Sequence, residues 1–142
     1  MDLVTPERIA TVMQLPALPH SVSELDALVA SGLPKAALKA SVWCVFDSAE
    51  ERNKLLYRLI PEATYKRRRE RLSPEESART ERLARIVASA EFVWDDTAAA
   101  RRFLTTAHPM LQNRTPLDVS LTELGARQVE ALLWKLFYGL PA

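Results

Sequence analysis

Apolar residues recur along the chain at helical spacing, and almost every such stretch follows a capping residue. Thr5-Pro6 predicts a first short helix with Thr5 as N-cap, Pro6 at its first position and Ile9, Val12 and Met13 on one face. Two prolines in Leu15-Pro16-Ala17-Leu18-Pro19 break it. Ser21 with Glu24 reads as a capping box ahead of Leu25, Leu28 and Val29. Gly32 ends that helix, and Pro34 opens the next, which carries Leu38, Val42, Val45 and Phe46. Ser48 with Glu51 is a second box, before Leu55, Leu56 and Leu59, and Ile60-Pro61 then starts a short basic helix through about Arg71.

Ser73-Pro74-Glu75-Glu76 combines cap, N1 proline and capping-box glutamate, the strongest start signal in the chain. The helix it opens is expected to reach about Trp94, with Leu83, Val87, Ala90 and Trp94 as its stripe. Asp95-Asp96 caps a helix holding Phe103 and Leu104, which His108-Pro109 stops. Met110 to Leu121 reads as a loop with one short turn begun by Thr115-Pro116. Thr122 caps the last helix, where Val129, Leu132, Leu133, Leu136 and Phe137 form a broad apolar face before Gly139 and Pro141 end it. Nothing sustains a period-2 alternation, so the expected class is all-α. The best internal boundary lies at Leu72-Ser73, giving units of residues 1–72 and 73–142 with no flexible Gly/Ser linker between them.

With 142 residues, 48% of them hydrophobic and 26% charged, the balance is that of a globular chain able to bury a core without staples. A single cysteine, Cys44, precludes an intrachain disulfide. The longest apolar run, Val42 to Phe46, is far too short for a membrane helix, and the N-terminus has no signal-peptide pattern, so the expected setting is the cytoplasm, with no membrane partner. Only three glycines, Gly32, Gly125 and Gly139, exclude a Gly-rich phosphate loop.

The net charge of +1 conceals a strong asymmetry. Residues 1–51 carry three basic and seven acidic side chains, residues 52–85 eleven and five, and residues 86–142 five and six. The basic excess is thus a local footprint. Catalytic groups are scarce. Cys44 sits among Val42, Trp43, Val45 and Phe46, a setting that raises a thiol pKa, and only His20 and His108 are available as bases or metal ligands. Asp95-Asp96 reads as a helix cap rather than a carboxylate pair. No enzyme, cofactor or metal is expected.

Lys66-Arg67-Arg68-Arg69 lies on a short helix that follows another short helix, Ala49 to Leu59, across a tight break. Two short helices in that order, the second basic, are how a helix-turn-helix reads in sequence. Thr64, Tyr65, Lys66, Arg67, Arg68 and Arg69 are the candidate DNA contacts, with Arg68 able to fork onto a guanine. The competing reading is a solvated basic helix face.

Longer motifs follow. Arg71-Leu72-Ser73-Pro74-Glu75-Glu76-Ser77-Ala78-Arg79 with Leu83-Ala84-Arg85, then Arg114-Thr115-Pro116-Leu117-Asp118, then Thr122-Glu123-Leu124-Gly125-Ala126-Arg127-Gln128-Val129-Glu130, and finally Leu133 through Tyr138-Gly139, stand in the order found in one family. Over roughly residues 66–142 the chain resembles the Xre/MbcA/ParS antitoxins, and more loosely their Xre-like helix-turn-helix half upstream. Family members commonly carry Leu-Gly-Gly before the arginine, where this chain has Leu111-Gln112-Asn113-Arg114. Asparagine tolerates a left-handed backbone better than most residues.

The resemblance implies the antitoxin of a type II pair whose partner is a RES-domain toxin that consumes NAD or uses it for ADP-ribosylation. It implies occlusion of the toxin's active site and binding of operator DNA by the complex. A homodimer is expected, because helix-turn-helix readers bind paired half-sites. Leu25, Leu28, Val29, Trp43 and Phe46 are the apolar surface expected to form it. The toxin contacts are expected where packing does not explain the residue: Arg114, Lys135 and the tail Tyr138-Gly139-Leu140-Pro141-Ala142. A second reading keeps the helix-turn-helix and drops the toxin, giving a stand-alone transcriptional regulator.

Overall fold

Residues 2–140 are described by a computed structural model, whose longest helix grows from the strongest start signal. Nine α-helices and one 3-10 turn, with no strand, occupy the described residues, so the fold is all-α. In chain order they are α1 (Pro6–Val12), α2 (Val22–Ser31), α3 (Lys35–Trp43), α4 (Ala49–Leu59), α5 (Glu62–Arg67), α6 (Pro74–Trp94), α7 (Thr97–Thr105), the 3-10 turn Pro109–Leu111, α8 (Pro116–Val119) and α9 (Glu123–Phe137).

At the start of α6 the Glu76 N–H donates to the Ser73 hydroxyl at 3.1 Å and the Ser73 N–H donates to the Glu76 carboxylate at 2.8 Å, closing the capping box in both directions. Its middle is small and apolar: Ala84, Ile86, Val87, Ala88 and Ala90 are buried, and so are Ser77, Thr80 and Ser89. Small side chains on several faces let α1, α2, α3 and α4 approach from one half of the chain and α7 and α9 from the other. One continuous core results, from Val4 through Leu38, Leu55 and Val87 to Leu133.

The predicted caps hold at every helix they were read for, with two local differences. Thr5, Ser21, Ser48, Asp96, Thr115 and Thr122 each accept a bond from the backbone N–H three residues on. At Ser21 and Ser48 the box is open: the Glu24 carboxylate takes the N–H of His20, and the Glu51 carboxylate takes the Ser48 hydroxyl at 3.3 Å in place of its N–H. The aspartate pair divides its work: Asp96 caps α7, while Asp95 turns left-handed (φ 48°) to close α6.

Four expectations require correction. Helix α3 ends at Trp43 and leaves Val45 and Phe46, read as part of its face, in the turn that follows. The basic helix stops at Arg67, four residues short of Arg71, for a reason that lies in α6 and is described below. Trp94 leaves the buried stripe of α6 and is 41% exposed, its ring 5.9 Å from that of Phe103. The apolar surface assigned to dimerisation is mostly internal. Leu25 is buried, Val29, Trp43 and Phe46 pack against the core, and Leu28 alone of the five is exposed.

A second tie joins the halves. Around Gly32 (φ 95°), residues 33–35 run antiparallel to 70–72, with Lys35 N–H donating to Glu70 O at 2.8 Å and Leu72 N–H to Leu33 O at 2.9 Å. The Leu33 N–H donates to the buried Ser77 hydroxyl at 2.8 Å, which anchors this crossing on α6.

The Gln112-Asn113 turn forms without glycine, at a conformational cost. Both residues are left-handed, with φ of 53° and 58°. Left-handed backbone costs a residue with a Cβ about 1–2 kcal/mol, while a new glycine adds about 0.4–1 kcal/mol of unfolded-chain freedom. Gln112 is exposed and has no packing to lose. Gln112→Gly should therefore stabilise the chain by about 0.5 kcal/mol, read as a higher urea midpoint at unchanged slope. A lower midpoint would mean that strain at Gln112 is not the dominant cost.

Candidate partner-binding surfaces

The basic segment is where the sequence placed DNA contacts, and the structure divides its residues by role. The Arg68 guanidinium grips Glu76, with Nε donating to one carboxylate oxygen at 3.0 Å and Nη2 to the other at 3.2 Å. Glu76 is 6% exposed. This fork pulls Arg68 into an extended conformation (φ −66°, ψ 134°), and that is what ends α5 at Arg67. Tyr65 is half-buried, edge-on to Tyr57 with ring centroids 6.4 Å apart, and the Lys35 ammonium sits 4.3 Å over its ring. Burial and the neighbouring Tyr57 push the Tyr65 hydroxyl above the usual tyrosine range. Thr64 is half-buried beside it. Lys66 pairs along its own helix with Glu62 at 2.8 Å. Arg67 and Arg69 are exposed and make no ion pair among the described residues.

Other arginines of the basic quarter also stitch the fold. Arg71 donates to Gly32 O at 2.7 Å and Arg79 to Leu59 O at 3.1 Å. Arg58 reaches Asp118 at 2.8 Å, and that bond holds the Asp118 carboxyl below the usual range against the opposing effect of burial. Arg82 and Arg85 fasten α6 to α9. Arg82 bonds Glu123 at 3.1 Å and Leu121 O at 3.0 Å, and the Arg85 guanidinium lies 3.4 Å from Glu123, 3.5 Å from Glu130 and 3.7 Å from Glu81. Burial pushes Glu81 and Glu130 up despite Arg85, whereas at Glu123 the two arginines outweigh burial and hold the carboxyl down. Cys44 is half-buried, and burial with nearby Glu91 pushes its thiol up.

The residues expected to meet a toxin lie in two places. Arg114 is exposed in the loop after the 3-10 turn, where its backbone pairs with His108: the His108 N–H donates to Arg114 O at 3.1 Å. Lys135 and Tyr138 close α9. Gly139 is left-handed (φ 66°), its N–H donates to Leu136 O at 3.3 Å, and the Leu140 N–H donates to Lys135 O at 2.8 Å. This glycine-closed end satisfies the last carbonyls and turns the chain away from the helix axis. Pro141 and Ala142 lie outside the described residues.

Around that end the structure adds residues that the sequence reading left out. Tyr138 packs at a tilt against Trp134 with centroids 4.5 Å apart and meets Phe137 edge-on at 5.0 Å, while Phe137 lies 5.0 Å from Phe92. Phe137, Tyr138 and Leu140 are 43%, 55% and 51% exposed. The core takes Val129, Leu132 and Leu133 and leaves the rest of the broad face half-covered or free. Trp134 was detectable in principle, since it stands four residues before Tyr138 and shares its helical face. Phe92, from α6, was not.

Comparison with known proteins bears on this part of the chain. Residues 89–139, from within α6 to the end of α9, match the family described as the antitoxin Xre/MbcA/ParS C-terminal toxin-binding domain. The Antitoxin Xre of Pseudomonas putida is 36% identical over 84 residues, which cover 57% of this chain and 53% of that protein. The chain therefore spans about half the length of the curated relative it matches. Both likenesses are to Xre-type antitoxins. The Arg71–Arg85 motif lies upstream of the matched residues.

Proposed function

We propose, from the match of residues 89–139 to an antitoxin toxin-binding domain, that this chain neutralises a RES-domain toxin by occluding its active site with the end of α9. The observation that carries the reading is the exposed aromatic end itself. Tyr138, Phe137 and Leu140 project beyond the core on a helix that Arg82 and Arg85 hold in place. Rigid aromatic anchors lose little side-chain entropy on entering a cleft, and a well-fixed helix loses little more. In this reading Tyr138 anchors the tail in the NAD-binding cleft, Gly139 sets its direction, and Leu140, Pro141 and Ala142 exclude the dinucleotide. Lys135 flanks the plug and Arg114 supplies a further contact.

The division of labour follows the boundary at Leu72-Ser73, with residues 1–72 serving DNA and self-association and 73–142 serving the toxin. Lys66, Arg67 and Arg69 would meet operator phosphates, with Thr64 and Tyr65 beside them. Arg68 supports that surface through its hold on Glu76. Pairing of two copies on an operator would use a face other than Leu25, Val29, Trp43 and Phe46, which the core occupies. The stand-alone regulator remains the competing reading, and its marker is operator binding without any toxin complex.

The test is deletion of Leu140 to Ala142, with binding and inhibition measured separately on a purified RES-domain toxin that the full chain silences. The truncated chain should still form the complex through its helical surfaces, while NAD consumption by the bound toxin returns. Full silencing by the truncated chain at saturation would mean that the tail is not the plug.

A further inference from the structure

The turn between α3 and α4 is held from the other half of the chain. The carbonyls of Trp43 and Cys44, at the end of α3, take no backbone N–H among the described residues. Such orphans at a helix end need a donor from elsewhere. Arg101 of α7 provides it. Its Nε donates to Cys44 O at 2.8 Å, its Nη2 to Trp43 O at 3.3 Å and its Nη1 to the Asp47 carboxylate at 2.6 Å. All three nitrogens of one guanidinium are thus engaged on a single turn, and the Arg101 side chain is 29% exposed. Arg52, in the first turn of α4, adds a second guanidinium, with Nε on Phe46 O at 2.6 Å and Cζ 4.5 Å from the centre of the Trp43 ring.

This turn sets the entry of α4, and α4 carries α5. No residue of α5 is buried, and the helix it packs on is α4. At its far end α4 is fixed by Arg79 of α6 on Leu59 O, and just beyond α5 the Arg68 guanidinium is fixed on Glu76. Arg101 is the corresponding tie at the near end. Of the three it alone reaches across from residues 89–139, the part matched to a toxin-binding domain. The eleven residues of α4 span about 16 Å, so a tilt of about 5° about one end moves the other by about 1.4 Å. Hydrogen bonds to a base edge tolerate only about 0.5 Å in length, so a tilt of that size breaks them.

We infer that Arg101 is a positioning residue for sequence-specific DNA reading: from within the toxin-binding domain it sets the angle at which α4 presents α5 to the groove, and it touches no DNA itself. The inference rests on the DNA-binding reading of α4 and α5 given above. A guanidinium suits this role because its planar fork fixes several acceptors in one geometry, which a lysine ammonium does not.

The experiment uses the full chain and two DNA duplexes of equal length: one recovered by the parent chain from a random-sequence pool, the other of mixed sequence. Affinities are measured by fluorescence anisotropy at several salt concentrations. Arg101→Ala should bind the recovered duplex about tenfold more weakly, the equivalent of about one base contact, with mixed-duplex affinity within about twofold of the parent and an unchanged salt slope. A residue acting only through stability would weaken both together or neither. Arg101→Lys, which keeps the charge and loses the fork, should fall between parent and Arg101→Ala. Asp47→Ala leaves both carbonyl bonds in place and should cost the recovered duplex about two- to threefold. Arg102→Ala, on an exposed neighbour outside the tie, should match the parent. Circular dichroism checks the fold, and if Arg101→Ala does not fold, Arg101→Lys and Asp47→Ala decide the matter. Folded Arg101 variants with the parent's preference for the recovered duplex overturn this inference and leave the DNA reading standing. Failure of the parent chain to recover any sequence overturns both. A lower salt slope in Arg101→Ala would make Arg101 a phosphate contact, and an equal loss in Arg102→Ala would make the effect one of helix charge. Either result also overturns the inference.

Discussion

Gly125→Ala is expected to abolish the native packing of the last helix, with a loss on the order of 4 kcal/mol or more and a fall in melting temperature of about 10–15 °C. Helix propensity alone predicts the opposite sign, because alanine in place of glycine inside a helix usually gains about 1 kcal/mol. The geometry overrides it. A Cβ at Gly125 would stand 1.7 Å from Val119 O, 2.8 Å from Val119 C and 2.9 Å from the Thr122 hydroxyl. Two of those atoms are backbone, and the third caps α9 by accepting the Gly125 N–H at 3.0 Å, so none can withdraw cheaply. Relief requires α9 to separate from α8, which uncovers Leu117, Val119 and Val129. Thermal unfolding followed by circular dichroism measures the loss, and a melting point equal to or above the parent's would show that the α8–α9 contact is not fixed as described.

Arg68→Ala should cost about 2–3 kcal/mol at neutral pH. Removing one partner of a buried pair typically costs about 3–5 kcal/mol, and the 35% exposure of the Arg68 side chain reduces that figure. Burial alone would push the Glu76 carboxyl up, but the Arg68 guanidinium and the Ser73 N–H outweigh it and hold Glu76 below the usual range. A carboxylate whose folded pKa lies below its unfolded one contributes stability above the unfolded value and loses it as pH falls through the folded one. The deficit of Arg68→Ala should therefore be largest at neutral pH and shrink in acid, as measured by urea midpoints across that range. Arg67→Ala and Arg69→Ala, on exposed side chains, should leave the midpoint unchanged. An Arg68→Ala chain as stable as the parent, with no change across the acid range, would return Arg68 to the surface-contact class.

These two residues mark the line between what the sequence discloses and what only the fold decides. Helix starts were legible because a cap is a local device: Ser73, Asp96 or Thr122 bonds an N–H three residues away, and the signal lies within four positions. The end of α5 was not, since Glu76 stops it from the next helix. The basic quarter was legible as a charge count but not as a set of roles, because Arg58 meets Asp118 sixty residues on and Arg82 meets Glu123 forty-one on. The apolar pattern of α2 and α3 identified residues that seek cover without identifying the cover, and α6 supplied it from within the chain. At the candidate site, Tyr138 and Arg114 came from motif and position, whereas Phe92 and Arg101 acquire meaning only from the ring and the turn brought beside them.

The central place of α6 has a consequence for synthesis. A ribosome that has made residues 1–72 has delivered five helices that cover one another only in part, because the wall they share begins at Pro74. At about 5–20 residues per second, α6 to α9 follow over several seconds, and the first half waits through that interval without the helix that completes the cover of Leu38, Val42 and Leu55. A chain cut short before α6 should therefore be cleaved more readily by protease than the full chain.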